Sequence, residues 1–497
     1  MSGEPVKEHP PSLVPIMRSD LSRYGSARGG VPSDGDALVP RRQRFANTPN
    51  RSLRRSTMLE LDDIQSGVLF PRPTPYAATY LLFRIDNRKA GRELMRRAAR
   101  VVASAAHPIS PAGDAWFSVA LTFPGLKALG VPAESLESFP HEFQQGMAAR
   151  AAVIGDTGEN SPDHWEKPLG GPEAHVLFAA LAPDRARLDA VLETARSAYE
   201  ALDGVAVIWR QDCYALPSER EAFGFRDGIS HPAIEGSGVP GTNPKEPPLK
   251  AGEFILGYAD EMGFTPPPPK PEVLGRNGTY AVVRKLRQCV SEFRRFLKAH
   301  ASSPEEEERL AAKMMGRWRS GAPLALSPDR DDPELGADRK RNNDFLFYDD
   351  DKVGFKTPPG SHIRRMNPRD ALKDSGTSVR IRRMIRRGTS YGPELPAGVL
   401  EDDGAERGLM FVFLGADLKR QFEFVQATWL NDGEFVGAGM QTDPITGAKA
   451  VAGELTIPHR PVRKRLQGLP QFVTTRGGDY FFIPGIEALR WLAELET

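Results

Sequence analysis

Tyr76-Ala77-Ala78-Thr79-Tyr80-Leu81-Leu82-Phe83-Arg84-Ile85, followed at once by the segment from Lys89 to Arg100, decides the fold class. The first run is short and apolar, which predicts a strand; the second has the spacing of an amphipathic helix. Working outward, a strand is expected from Ala115 to Phe123, then a short helix opened by Pro124 and a strand from His175 to Leu181. A helix from Pro183 to Leu202 and a strand from Val205 to Arg210 follow. This order suits a ferredoxin-like α+β domain with an antiparallel sheet. The second half repeats the theme with larger insertions. Glu253 to Tyr258 and Thr279 to Val283 read as strands, Gln288 to Ala299 as a helix, Leu409 to Leu414 as a strand and Asp417 to Trp429 as a helix. Pro266 to Pro269 marks an exposed loop, and Glu305 to Glu308 a polar helix face.

A chain of 497 residues, 40% of them hydrophobic, can build two sizeable cores. Residues 1–57 are rich in Pro, Gly, Ser and Arg without apolar periodicity, and are expected to form a disordered extension. Lysines and arginines number 66 against 65 acidic residues, so no overall field favours nucleic acid or an anionic membrane, and neither is expected as a partner. No apolar run approaches membrane-spanning length. Cys213 and Cys289 are too few for a disulfide framework and lack metal-ligand or redox spacing. The pairs Arg41-Arg42 and Arg54-Arg55 are not followed by the apolar core of an export signal, so a cytoplasmic location is expected.

Gly224-Phe225-Arg226-Asp227-Gly228 holds a carboxylate between two glycines, on backbone free to turn sharply and approach a flat ligand. Alone, it describes an ordinary turn equally well. Most of the nine histidines lie in polar or Pro-flanked sequence and read as surface groups, His231 among them, while His175 opens an apolar run and reads as a half-buried strand residue. His362 differs in context: Arg364, Arg365 and Arg369 follow closely, and the segment ends in the arginine-dense run from Arg380 to Arg387. Such a run can be a solvated basic face, a nucleic-acid stripe or a set of anion clamps.

Together these residues carry a resemblance. Gly224 to Gly228, His362-Ile363-Arg364-Arg365-Met366-Asn367-Pro368-Arg369 and Arg386-Arg387-Gly388-Thr389-Ser390-Tyr391-Gly392 resemble the signatures of dye-decolorising peroxidases. The likeness extends to Phe143-Gln144-Gln145-Gly146-Met147, Ile154-Gly155-Asp156, Gln421 to Gln426 with Trp429, and Gly477-Gly478-Asp479-Tyr480-Phe481-Phe482. It covers roughly residues 58 to 497.

The resemblance implies two ferredoxin-like domains, at 58–223 and 224–497, with haem b bound mainly by the C-terminal one. It implies a haem peroxidase that reduces hydrogen peroxide and oxidises dyes, phenols and other small or bulky reductants through a ferryl intermediate. By family position His362 is the axial iron ligand, Asp227 the acid/base that moves the peroxide proton, and Arg386 the distal cation. Asp443 matches the carboxylate partner of the proximal histidine, or else only starts a turn with Pro444. Arg369 is a candidate propionate contact, and Leu409 and Phe411, two apart on a strand, wall the peroxide side or pack a core. Tyr391 and Trp429 match positions of electron relays to surface-bound dyes. The other class of function is a haem-binding or haem-handling protein serving storage, transfer or iron release. Retention of both Asp227 and Arg386 favours the enzyme, as a monomer or homo-oligomer.

Overall fold

In the computed structural model, which describes residues 58–109, 114–437, 439–449 and 453–496, β1 (Ala77–Ile85) is buried on both faces. Ala77, Leu81, Phe83 and Ile85 pack in one core, and Ala78, Tyr80 and Leu82 in a second on the other side of the sheet. Burial on both faces makes the run continuously apolar rather than alternating. The helix Arg88–Val101 starts where Asn87 accepts a hydrogen bond from the Ala90 N–H at 3.0 Å, and it buries Leu94, Met95 and Ala98. β2 (Trp116–Leu121), β3 (Val176–Ala182), the helix Arg185–Tyr199 with Asp184 as its cap, and β4 (Val205–Tyr214) complete the first half. The strands are antiparallel in the order β4-β1-β3-β2, which is the ferredoxin-like order. The expected extension at 1–57 lies outside the described residues.

The second half is built on β5 (Thr279–Gln288), the short β6 (Ile385–Arg386) and β7 (Thr389–Tyr391), and β8 (Gly408–Gly415). A separate hairpin, β9 (Gly453–Ile457) with β10 (Lys464–Leu469), precedes β11 (Val473–Ile483). The order β11-β5-β8-β6, with β7 also on β8, repeats the order of the first half: last, first, third, second. The halves meet edge to edge where Leu121 of β2 faces Phe482 of β11. The α+β class read from the sequence therefore takes the form of one antiparallel sheet covered by helices.

Two elements depart from the sequence reading. Glu253 to Tyr258 is not a strand but a 3-10 turn, Ala251–Glu253, followed by further turns with Gly257 at φ 91°. Phe254 and Ile255 are buried nonetheless, because the loop folds into the second core and Glu253 pairs with Arg420 at 3.1 Å. A short apolar run bounded by glycines cannot be told from a strand by composition. The expected helix from Asp417 to Trp429 winds as two π-helical stretches, Leu418–Glu423 and Val425–Leu430. Among them Gln421 is fully buried, its Nε2 donating to Glu253 O and Arg383 O, each at 2.9 Å. Such wide turns are frequent at functional sites. Cys213 and Cys289 are both free, and among the described residues no helix is long and apolar enough to cross a membrane.

Candidate active site

Side chains alternate along β8. Met410 and Val412 enter the second core, while Leu409 and Phe411 line a cavity of about 250 Å³. His362, Asp227, Arg386 and Arg369 line the same cavity, so four segments distant in sequence converge on it.

His362 opens the helix His362–Met366. The preceding Ser361 fixes that start, its hydroxyl donating to Lys313 O at 2.6 Å on the helix Pro304–Met315. The Nδ1–H of His362 donates to Asp443, 3.0 Å from Oδ2 and 3.2 Å from Oδ1. Asp443 is fully buried, and its Oδ1 also accepts the N–H groups of Ile445 and Thr446 and the Thr446 hydroxyl. Asp443 therefore starts a turn through the Ile445 and Thr446 N–H groups and also hydrogen-bonds the ring of His362. Burial alone would raise its carboxyl, but the charge and hydrogen bond of His362, the Thr446 N–H and Arg365 outweigh that and hold it at about 2. In the neutral form of the ring the Nδ1–H stays with Asp443 and the lone pair lies on Nε2, which has no hydrogen-bond partner among the described residues.

Asp227 sits between glycines with φ of 94° at Gly224 and 76° at Gly228, the left-handed conformation that glycine takes freely. Arg72 approaches it, Nη2 lying 3.6 Å from Asp227 Oδ2. A side chain at Gly228 would start 3.1 Å from that same nitrogen. Arg226, Asp227, Gly228 and Ile229 also line a second, more polar cavity of about 400 Å³, so Asp227 stands in the wall between the two. Arg386, on β6 opposite Phe413, donates through Nη2 to Ser230 O at 3.3 Å. Its other donors meet no partner among the described residues, and burial lowers its pKa. Arg369 is more committed: Nη1 donates to the carbonyls of Asn343 and Phe345, and the guanidinium lies 3.8 Å over the Phe345 ring. Burial and then Arg383 bring it down to about 10.

The structure corrects several readings of the basic segment. Arg364 and Arg365 do not line the cavity. Arg364 binds Asp351 and the Thr357 carbonyl, and Arg365, fully buried, donates to the carbonyls of Trp429, Asp432 and Gln441. In the run ending at Arg387, Arg380 pairs with Glu261 and Arg383 with Glu246, and Arg387 caps the carbonyls of Phe70 and Leu69. These arginines staple loops, and among the described arginines of that run Arg386 alone lines the cavity, with Met384 beside it. His231 is not a surface group. Burial pulls its pKa well below the usual imidazole range, Arg387, Arg386, Arg72 and Arg383 add to this, and its Nδ1 has no partner among the described residues. His175 is the satisfied strand-edge residue the sequence suggested, its Nδ1 accepting from the Ile85 N–H at 2.9 Å. Tyr391 and Trp429 are each only 3% exposed, so neither presents a ring to a bulky dye. Arg72 carried no sequence signal, lying in a Pro-rich segment ahead of β1.

No family model matches the chain. Individual relatives do. A dye-decolorizing peroxidase of Mycetinis scorodonius is 31% identical over 427 residues, covering 80% of this chain and 79% of that protein. A second, from Auricularia auricula-judae, is 30% identical over 459 residues, 87% of each. A multifunctional dye peroxidase of an Amycolatopsis species is 30% identical over 420 residues, 78% of this chain and 84% of the relative. Solved structures agree: the Auricularia auricula-judae enzyme superposes with a TM-score of 0.75 at 28% identity, over 88% of this chain and all of that one. A dye-decolorizing peroxidase solved with 2,6-dimethoxyphenol gives 0.76 at 27%, with the same coverage. By sequence and by fold, the chain belongs to the dye-decolorizing peroxidase family.

Proposed function

We propose that His362, Asp227 and Arg386 divide the chemistry of a haem peroxidase among them, in a pocket framed by Leu409, Phe411 and Arg369. As a member of its family the chain is an oxidoreductase, a haem-dependent enzyme that reduces hydrogen peroxide and oxidises dyes and phenols. The observation that carries the residue assignment is the His362–Asp443 pair on the cavity wall, which presents an imidazole lone pair backed by a buried carboxylate.

The pocket fits haem by its donor set. Among the described residues no group of three or more His, Cys, Asp or Glu is placed to hold a bare metal ion. A single imidazole holds iron firmly when the remaining ligands arrive with it, as the four porphyrin nitrogens do. Leu409, Phe411, Phe422 and Val425 suit a flat apolar ring, and Arg369, Arg317 and Arg226 offer cations for its propionates. Asp443 strengthens His362 as a ligand by drawing on its Nδ1–H. When bound, haem would supply the iron site for peroxide and hold the two oxidising equivalents that peroxide delivers.

Asp227 takes the proton from one peroxide oxygen and delivers it to the departing one, a task for an ionised carboxylate within reach of both. Arg72 holds that carboxylate from behind. Arg386, with most of its donors unspent, stabilises negative charge as the O–O bond breaks. Tyr391 and Trp429, being buried, would serve as interior relays rather than docking points. We also propose 58–223 and 224–497 as the two domains, supported by the strand order that each half repeats. A cytoplasmic location accords with two cysteines that form no disulfide.

The test is to load the protein with haem, record its absorption, and follow peroxide-dependent oxidation of a phenol and a dye. Histidine-ligated haem with turnover, both lost in His362→Ala, is the expected result. Firm haem binding without turnover would instead indicate a haem-handling protein.

A further inference from the structure

The described tyrosines differ in what stands ready to accept a proton from them. Tyr480 on β11 is 1% exposed, and its hydroxyl donates to Glu423 Oε1 at 2.9 Å. Glu423 is itself buried and gripped by Nε and Nη2 of Arg150, whose Nη1 donates to Gln145 among exposed groups. On its other side the Tyr480 ring meets Phe422 edge-on, centroids 6.1 Å apart. Phe422 lines the cavity next to Phe411, their centroids 6.4 Å apart. The π-helical winding therefore sends two adjacent residues in different directions, Phe422 to the cavity wall and Glu423 to the phenol. Burial, reinforced by the charge of Glu423, holds the Tyr480 hydroxyl well above the ordinary phenol range, so it keeps its proton at rest.

A phenol that loses an electron becomes strongly acidic, so it is readily oxidised only where a base can take its proton. Tyr391 donates to the backbone carbonyl of Leu286, and Tyr258 to the amide of Asn277. Tyr80 shares a hydrogen bond with the Thr389 hydroxyl, and Tyr280 has no partner among the described residues. None of those groups is a base. Tyr348 does meet a carboxylate, Asp374, but Lys352 and Lys373 stand over its ring and oppose the loss of an electron.

We propose that Tyr480 is a redox-active residue of this protein, reached from the cavity across Phe422 and served by Glu423 as its proton acceptor. The inference rests on the haem peroxidase reading, which supplies the oxidant. Tyr480 gives one electron to the oxidised centre in the cavity, its O–H bond breaks, and the proton moves to Glu423. A neutral phenoxyl radical then lies beside a neutral carboxylic acid. An organic reductant that returns one electron restores the phenol, with the proton coming back from Glu423.

The experiment is rapid freeze-quench electron paramagnetic resonance of the haem-loaded protein after mixing with peroxide, in natural and ring-deuterated tyrosine forms. A tyrosyl signal narrowed by deuteration, retained in Tyr391→Phe, absent from Tyr480→Phe and weakened in Glu423→Gln is expected. A tyrosyl signal unchanged in Tyr480→Phe or in Glu423→Gln overturns the proposal. So does its absence from the native protein while the haem absorption responds to peroxide. If the haem absorption does not respond at all, the peroxidase reading itself fails and this inference falls with it.

Discussion

Arg72 and Asp227 form an ion pair of 3.6 Å between side chains that are respectively 9% and 35% exposed, and Asp227 is thereby held from the side opposite the first cavity. Arg72 also lies 4.1 Å over the ring of Tyr76, so its position is set by packing as well as by charge. Removing it as Arg72→Met leaves Asp227 free to leave the cavity wall. The reaction of the haem-loaded protein with peroxide should slow, by about two- to fivefold for a partly exposed pair, while haem binding stays intact. Stopped-flow absorption checks both.

Gly388 lies against the same carboxylate. A Cβ there would stand 3.3 Å from Asp227 Oδ2 and 3.3 Å from Leu409 Cδ2. Gly388→Ala should crowd Asp227 and lower the rate of the peroxide reaction with little change in melting temperature. Equal rates would show that Asp227 does not need its observed position.

Asp443→Asn keeps the volume but replaces a buried carboxylate with an amide. If His362 holds iron, the ligand becomes less electron-rich, and the iron midpoint potential should rise. Spectroelectrochemical titration of the haem-loaded variant measures this, and an unchanged potential would remove Asp443 from the account.

Asp479 offers a pH test away from the cavity chemistry. Its carboxyl is buried and is pushed up to about 6, with only the N–H groups of Met147 and Tyr480 to offset the burial. As pH rises from about 4 to about 6 the unfolded chain gives up this proton while the folded one keeps it, so folding stability falls across that window. Above it the cost is constant. Asp479→Asn should flatten this slope and gain roughly 1 to 3 kcal/mol at pH 7. Chemical denaturation at several pH values decides.

Much of the fold was legible because β1, β3 and the helices at 88–101 and 185–199 carry strong apolar patterns. The strand misread at Glu253 to Tyr258 failed because a buried loop has the same composition as a buried strand. Motifs single out His362, Asp227 and Arg386, and strand period singles out Leu409 and Phe411; the structure brings all five to the lining of one cavity. The roles of Arg364, Arg365 and Arg387 were not legible, since an arginine that caps carbonyls reads in sequence like one that clamps an anion. Arg72 and the Tyr480–Glu423 pair escaped because each depends on a contact between segments far apart in the chain.

We propose that Asp227 and Arg386 act on peroxide in a cavity where His362 holds the iron. The most direct test of this mixes the haem-loaded protein with hydrogen peroxide in a stopped-flow spectrophotometer, alongside Asp227→Ala and Arg386→Leu. A fast spectral change is expected in the native protein, with a drop of at least about a hundredfold in its rate constant for either variant and the resting haem spectrum preserved. Native rates in both variants would contradict it.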